Sequence, residues 1–368
     1  MSAFNNLDEI FDEGFVETSV TSTTTTTSAK DGLYRPDLTK VKPEHKKRGY
    51  RAVIRFIRNY TDNPELIKKY LEGKGKEYKN QSLLVGLSKI EKKSHFVKID
   101  SPKELKGYYD SPANLDIFTN EKYDAKCELS SLKKTMKDSK NAVMMEKQKD
   151  ITYSHKMFSY VLILEDEQQP ELVGKVMIYS YGKQIQDKIE NEEKGVYGEK
   201  CNVFKLEDGK DFILLISEKE VPLDNGKTVT MPDYNNSTFK GTKTSISIPA
   251  SNGSSTSMKN VPLSEDGRIP SDLQERIITF LLKRDAELES FAPKRLTELQ
   301  MAKIEQIKNY YLNKPLDMSK INPKAQDHMD TNPSEQDFTT DLVTQNSNTE
   351  IETVSTSSDE TDDFTWDI

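Results

Sequence analysis

Charge is partitioned along this chain, and the partition limits where a fold can be built. Residues 1–29 carry five acidic and no basic side chains, and residues 321–368 carry twelve acidic residues against one lysine. The whole chain has a net charge of -8, so residues 30–320 hold a net +8 between two acidic ends. Segments that are acidic, polar and without apolar periodicity cannot bury enough surface to offset the entropy of ordering. Only 34% of the residues are apolar, and they concentrate in the middle. The expected organisation is therefore a disordered acidic, threonine-rich segment over 1–30, a folded core over 31–320 and a disordered acidic tail over 321–368. Phe4, Leu7, Ile10, Phe11 and Phe15 could add a short amphipathic helix to the first segment.

Several function classes recede on the same reading. The longest mostly apolar runs, 160–164 and 212–216, fall far short of the ~20 residues that span a bilayer, so no membrane association is expected. The N-terminus opens with Asp8, Glu9, Asp12 and Glu13, unlike a signal peptide. Cys127 and Cys201 stand far apart without a CxxC, which fits a reducing compartment and neither a disulfide framework nor a cysteine-based metal site. No GxxxxGK[ST], GxSxG or HExxH occurs. His45, His95, His155 and His328 are isolated from one another in sequence. The chain reads as a non-enzymatic binding protein.

The core reads as mainly β with α. Residues 51–57 are rich in β-branched types, 153–164 are strand-like, and 166–170 form a polar turn. Residues 175–183 alternate and read as the return strand of a hairpin. A short helix follows over 185–193, then a buried strand over 211–216. Residues 130–149 have apolar positions but poor periodicity, and 222–262 read as loops with one hairpin. Pro270, Ser271 and Asp272 open a helix carrying Leu273, Ile277, Ile278, Leu281 and Leu282. Pro293 opens a second, with Leu296, Leu299, Ile304 and Ile307. This helical pair, about 271–312, closes the core near Tyr311.

The signal that bears on function is basic and aromatic. In a strand over 175–183, alternation puts Val176 and Ile178 on one face and Lys175, Met177, Tyr179, Tyr181 and Lys183 on the other. Tyrosines bracketed by lysines suit single-stranded nucleic acid, with rings stacking on bases and ammonium groups meeting phosphates. An amphipathic surface strand has the same pattern. Residues 42–58 carry seven Lys/Arg against Glu44 alone, among them Arg58 and Arg55. Arg55 stands in an apolar strand and needs a phosphate or a carboxylate as partner. Residues 133–156 carry seven lysines against three acids, followed by Phe158, with Tyr153 and Lys156 at the end of the stretch. Tyr234 and Phe239 bracket a polar loop.

In this order the motifs resemble the single-stranded-DNA-binding, helix-destabilising proteins of T-even-type bacteriophages. Ala52-Val-Ile-Arg-Phe56 is similar to that family's early strand. The longest similarity runs from Tyr160-Val-Leu-Ile-Leu-Glu-Asp166 through Gly174-Lys-Val176, Tyr179 and Tyr181-Gly-Lys183 to Ile185, Asp187, Lys188 and Ile189. Cys201, the Phe212 strand, Tyr234 with Ser237 and Phe239, and a proline-led helical pair follow. The resemblance implies an OB-fold-like core with an inserted subdomain over about 84–150, holding single-stranded DNA in a basic, aromatic-lined cleft. It puts Arg55 in the place of a cleft arginine, Tyr179 and Tyr234 in the places of base-stacking tyrosines, and Phe158 at an aromatic position. The family's tyrosine just before Phe158 is Met157 here, with Tyr153 as the candidate substitute. The family's zinc set of one histidine and three cysteines is reduced to His95 and Cys127, with Tyr109-Asp-Ser-Pro112 where cysteines would stand. No zinc or other cofactor is therefore expected. The family's basic N-terminal arm is acidic and threonine-rich here, and Lys46-Lys-Arg48 stands nearer the core.

The resemblance implies a role in phage DNA replication, recombination and repair, in the cytoplasm of an infected bacterial host, with self-association along DNA. The acidic tail would compete with DNA for the basic core. Its tip holds Phe364, Trp366 and Ile368, apolar anchors for a replication partner such as a polymerase, primase or helicase loader. An RNA-binding translational regulator using the same surface, and a non-catalytic scaffolding protein, are the alternatives.

Overall fold

The computed structural model describes residues 32–42, 48–59, 87–117, 121–124, 126–222, 228–252 and 255–321. The two acidic ends, including Phe364, Trp366 and Ile368, lie outside the described residues. The fold is mixed α/β around a strongly curled, half-barrel sheet. Its strands are β1 (Leu33–Tyr34), β2 (Tyr50–Ile57), β3 (Ile90–Val97), β4 (Gly107–Asp110), β5 (Ile151–Asp166), β6 (Val176–Tyr181), β7 (Phe212–Pro222), β8 (Thr228–Asp233) and β9 (Thr238–Phe239). The main order is β1-β6-β5-β2-β7-β8, with β9 on β7. A separate hairpin pairs β10 (Ser247–Asn252) with β11 (Ser255–Asn260). The expected hairpin of the 153–164 and 175–183 segments is present as antiparallel β5 and β6.

One edge of β5 changes partner along its length. Residues 151–158 pair with β3 and residues 160–166 with β2. The opposite edge takes β6 over residues 157–162. The β2–β5 register shifts between Val53 and Ile54; such a bulge bends a strand and sharpens its twist, which suits a sheet that curls.

Both faces of the central strands are buried, which is why they read as near-continuous apolar runs. On β2, Tyr50, Ala52, Ile54 and Phe56 enter one core with Phe204, Phe212 and Phe239. Val53 and Ile57 enter the other, with Tyr160 and Leu162 of β5. Helix α3 (Lys183–Lys194) adds Ile185 and Ile189 to the first core. Helix α4 (Ser271–Leu282) adds Leu273, Ile277 and Leu281 to the second.

A third core supports the inserted subdomain. The stretch that lacked clear periodicity forms helix α1 (Glu128–Asp138) and the short α2 (Ala142–Lys147). Leu129, Leu132 and Met136 of α1 pack with Val97, Tyr109 and Ile151. Helix α5 (Glu298–Tyr311) contributes Ile304, Ile307 and Tyr311 to this core. The expected helical pair is therefore divided, with α4 on the barrel and α5 on the subdomain. Pro293 does not open α5 either. The helix starts after Thr297, whose side chain accepts from Gln300 N while the Gln300 side chain accepts from Thr297 N. That reciprocal cap satisfies two otherwise orphaned donors, which a proline five residues before the helix cannot do.

Two buried polar clusters lock the barrel. At the β5–β6 turn, Asp166 accepts from Tyr34 Oη at 2.7 Å, from Tyr50 Oη, and from the backbone N–H of Gln168 and Gln169 at 3.0 and 2.8 Å. Four donors offset the cost of burying the carboxylate. Burial, with the adjacent carboxylate, pushes both tyrosine hydroxyls well above their ordinary range. The second cluster is centred on Arg55, which is fully buried. Its guanidinium donates to Asp211 Oδ1 at 3.3 Å, Lys205 O at 2.8 Å and Thr244 O at 2.9 Å. The partner that the sequence left open is a carboxylate. A cleft arginine reaching for phosphate is not what Arg55 is here, because burial and three protein acceptors hold its guanidinium inside.

Replacing Arg55 with alanine leaves Asp211 with Lys240 as its ion-pair partner, at 3.2 Å, takes a donor from two carbonyls, and should destabilise the protein by about 1–3 kcal/mol. Gly209→Ala should destabilise as well, since a methyl there would stand 2.5 Å from Arg55 Nη2. Urea unfolding measures both. Midpoints equal to wild type would show that Arg55 does not anchor the barrel.

Candidate nucleic-acid interface

The residues expected at the interface separate into core and surface groups. The alternation along β6 holds, but both of its faces are covered. Val176 and Ile178 face one core, while Met177, Tyr179 and Tyr181 face the other. Tyr179 and Tyr181 are only 2% and 3% exposed. Their ring centroids lie 6.0 Å apart, and Tyr179 also packs 5.8 Å from Tyr34. Tyr181 shares a 2.9 Å hydrogen bond with Ser159. These two tyrosines are core residues and not an exposed stacking platform. Phe158 is likewise buried, stacked on Phe291 at 4.8 Å. Period two shows which side chains share a face, not whether that face is open.

The lysines flanking β6 are on the surface but do not share its face. Lys175 precedes the strand and Lys183 is the first residue of α3; both are exposed. Arg58 is half-buried just beyond β2, and Tyr234 is half-buried against the tyrosine-bearing core. Tyr153 is 39% exposed and Lys156 half-buried, both on the first half of β5.

That half of β5 builds the more suitable surface. With β3 and β4 it forms a three-stranded extension of the barrel sheet. Cross-strand register sets Lys92 opposite Lys156, Ser94 opposite Ser154 and Phe96 opposite Thr152, and sets Tyr108 beside Phe96. Phe96 and Tyr108 are half-exposed, with ring centroids 4.7 Å apart. Lys92 is ion-paired to Asp110 at 3.2 Å. Lys156 has its ammonium pushed down by burial first and then by the nearby positive charge of Arg35. The alternating face of β5 thus presents Thr152, Ser154 and Lys156 beside an aromatic pair. Phe96 and Tyr108 were not singled out from the sequence. Phe96 stands in the polar run Ile-Glu-Lys-Lys-Ser-His-Phe-Val and Tyr108 in a four-residue strand, so neither lies in an alternating segment long enough to read.

On the other face of this extension, His95 is buried beside Cys127 and Ser130. A structural zinc needs four ligands. The donors gathered here are one imidazole, one thiol and a hydroxyl, and no cluster of three or more His, Cys, Asp or Glu able to hold a metal occurs among the described residues. The set does not fit the family's zinc. Among the described residues no helix is long and apolar enough to cross a membrane. No protein-family profile and no curated protein matches the chain.

The Tyr179 hydroxyl is buried without a hydrogen-bond partner, and its ionisation is strongly suppressed by burial, then by the neighbouring Tyr234, Tyr50 and Tyr181. Tyr179→Phe removes an unsatisfied polar group and should leave stability unchanged or slightly raised. Tyr179→Ala opens a cavity and should cost about 3–5 kcal/mol. Thermal and urea unfolding decide this. A fully stable alanine variant would return Tyr179 to the surface.

Proposed function

We propose that this chain binds single-stranded DNA without sequence preference, in phage DNA replication, recombination and repair, and performs no catalysis. The observation that carries the reading is that Lys156 shares one face of the sheet extension with the half-exposed rings of Phe96 and Tyr108. Cations answer phosphates, and aromatic faces accept any base. The curled half-barrel supports an OB-like interpretation, and OB-folds use curved sheets to track single strands. The net +8 of residues 30–320 supplies the long-range attraction.

On this reading the interface is Lys156 from the original candidates, with Phe96 and Tyr108 added, while Tyr153 lies on the opposite face with His95. Lys175, Lys183, Arg58 and Tyr234 extend it as surface or half-buried groups. The acidic tail limits access of DNA to the core at low salt, and Phe364, Trp366 and Ile368 recruit a polymerase, primase or helicase loader. The compartment is the cytoplasm of an infected bacterium.

Fluorescence titration of the full chain with oligo(dT) at several salt concentrations tests the reading. The log–log slope should be about -0.7 per phosphate neutralised. Tyr108→Ala should weaken binding by about 1–3 kcal/mol, and Lys156→Ala should make the slope shallower by about one phosphate's share. A flat salt response, or tighter binding to duplex, would overturn the proposal. Tighter binding to a matched RNA would shift it to a translational regulator.

A further inference from the structure

Strand β7 outgrows its partner β2. Residues 212–216 pair with β2, while among the described residues 217–222 pair with β8 alone. Phe212, Leu214 and Ile216 turn into the first core, and Glu218 and Glu220, which continue their face, are exposed. The opposite face stays apolar to the end of the ribbon. It carries Ile213, Leu215 and Val221, all half-buried, with Val229 across from Val221 and Met231 across from Lys219. Val229 is 37% exposed and Met231 42%. None of these five apolar residues is part of the three cores. A two-stranded ribbon alone is at best marginally stable in water, and a helix packed on its apolar face stabilises it.

The chain supplies a segment of matching shape. At about 3.6 residues per turn, Phe4, Leu7, Phe11 and Phe15 fall on one stripe about 17 Å long. Asp8 and Asp12 border that stripe one turn apart, and Glu9 and Glu13 lie behind it. The ribbon face runs about 27 Å from Ile213 to Val221. Lys219, exposed on the same face, is the cation that Asp8 or Asp12 would meet.

We propose that residues 4–15 form a helix that covers this face of the β7–β8 ribbon within the same chain. The tether permits it. Leu33 is opposite Ile178 and Ile213 is opposite Val53, and Ile178 and Val53 share the second core, so Leu33 and Ile213 lie on one side of the sheet. Four strand spacings, about 19 Å, separate β1 from β7. Residues 16–32 span up to about 56 Å when extended, enough to pass round α4, which packs on that side. A second copy is a poorer occupant. The face offers roughly 270 Å², against about 800 Å² per partner in a stable dimer, whereas a tethered segment docks at high effective concentration. Residues 322–368 have no helical apolar spacing to match the face. The contact needs no nucleic acid and can be tested without any.

The test is photo-crosslinking of the full chain with p-benzoylphenylalanine in place of Met231. Isotopically light and heavy chains are mixed, and mass spectrometry locates the crosslink. Position 231 should join residues 4–15 at the mass of one chain and within one isotope label. The same probe in place of Thr230, on the other face of β8, should not reach that segment. Replacing Leu7, Phe11 and Phe15 together with serine should abolish the crosslink from position 231 and speed amide hydrogen exchange across 217–222 and 228–233. Mixed-label crosslinks would make a second copy the occupant and overturn the proposal. Capture of residues 322–368 in place of 4–15, no capture of 4–15, or a crosslink that survives the triple serine variant would overturn it too.

Discussion

The structure depends on one ladder of hydrogen bonds, that of the sixteen-residue strand β5. Three strands pair with it, and between them they do two jobs. β6 and β2 flank its second half and close the curled barrel, while β3 takes its first half and carries β4, α1 and the third core. A strand this long spans two packing environments, so its side chains change role without any break in the backbone. Ile151 belongs to the subdomain core, Tyr160 and Leu162 to the barrel. The residues between, from Thr152 to Lys156, are covered by neither core and remain exposed or half-exposed. The candidate interface lies on this uncovered stretch.

Polar anchors fix the ends of that arrangement. Asp166 terminates β5 and gathers Tyr34 and Tyr50 from two other strands. Arg55, in the middle of β2, ties the strand to the loops that hold Lys205, Asp211 and Thr244. Neither cluster is a route to large net stability, because burying charge costs nearly what pairing returns. Their effect is on register. A one-residue slip of β2 would turn Arg55 away from its acceptors and carry Tyr50 away from Asp166, so slipped alternatives lose both sets of bonds at once.

Much of the fold was legible because strands buried on both faces announce themselves. The runs in β2, the second half of β5 and β7 are apolar enough to mark strands without help from tertiary structure. The short helix α3 and the helix α4 were legible from apolar spacing, and the β5–β6 hairpin from its polar turn. Less legible was anything decided by what covers a surface. Tyr179 has the same sequence pattern whether α3 and Phe212 pack over its face or leave it open, and the cover comes from residues far along the chain. Arg55 posed the same problem, since Asp211 lies 156 residues away. The division of the helical pair was hidden for a related reason: α4 and α5 have similar apolar spacing, but the faces they meet belong to different cores. In the inserted subdomain, short strands and lysine-rich helices diluted periodicity until only packing could define the elements.

The burial of Tyr179, Tyr181 and Phe158 has a consequence for how a basic, aromatic protein can be built. Aromatic side chains bring the largest apolar area of any residue type and therefore gravitate to cores. A strand rich in them is drawn inward unless something polar holds it out. In β6 nothing does, because the flanking lysines lie beyond the strand ends. In the β3–β4–β5 extension the opposite holds. Lys92, ion-paired to Asp110, and the half-buried Lys156 share the face that carries Phe96 and Tyr108, and covering that face further would strip the remaining water from both ammonium groups. Lysines interleaved with aromatics thus keep the rings accessible, whereas lysines that merely bracket them do not. Interleaving across neighbouring strands, which no single stretch of sequence displays, separates this half-exposed face from a core in this protein.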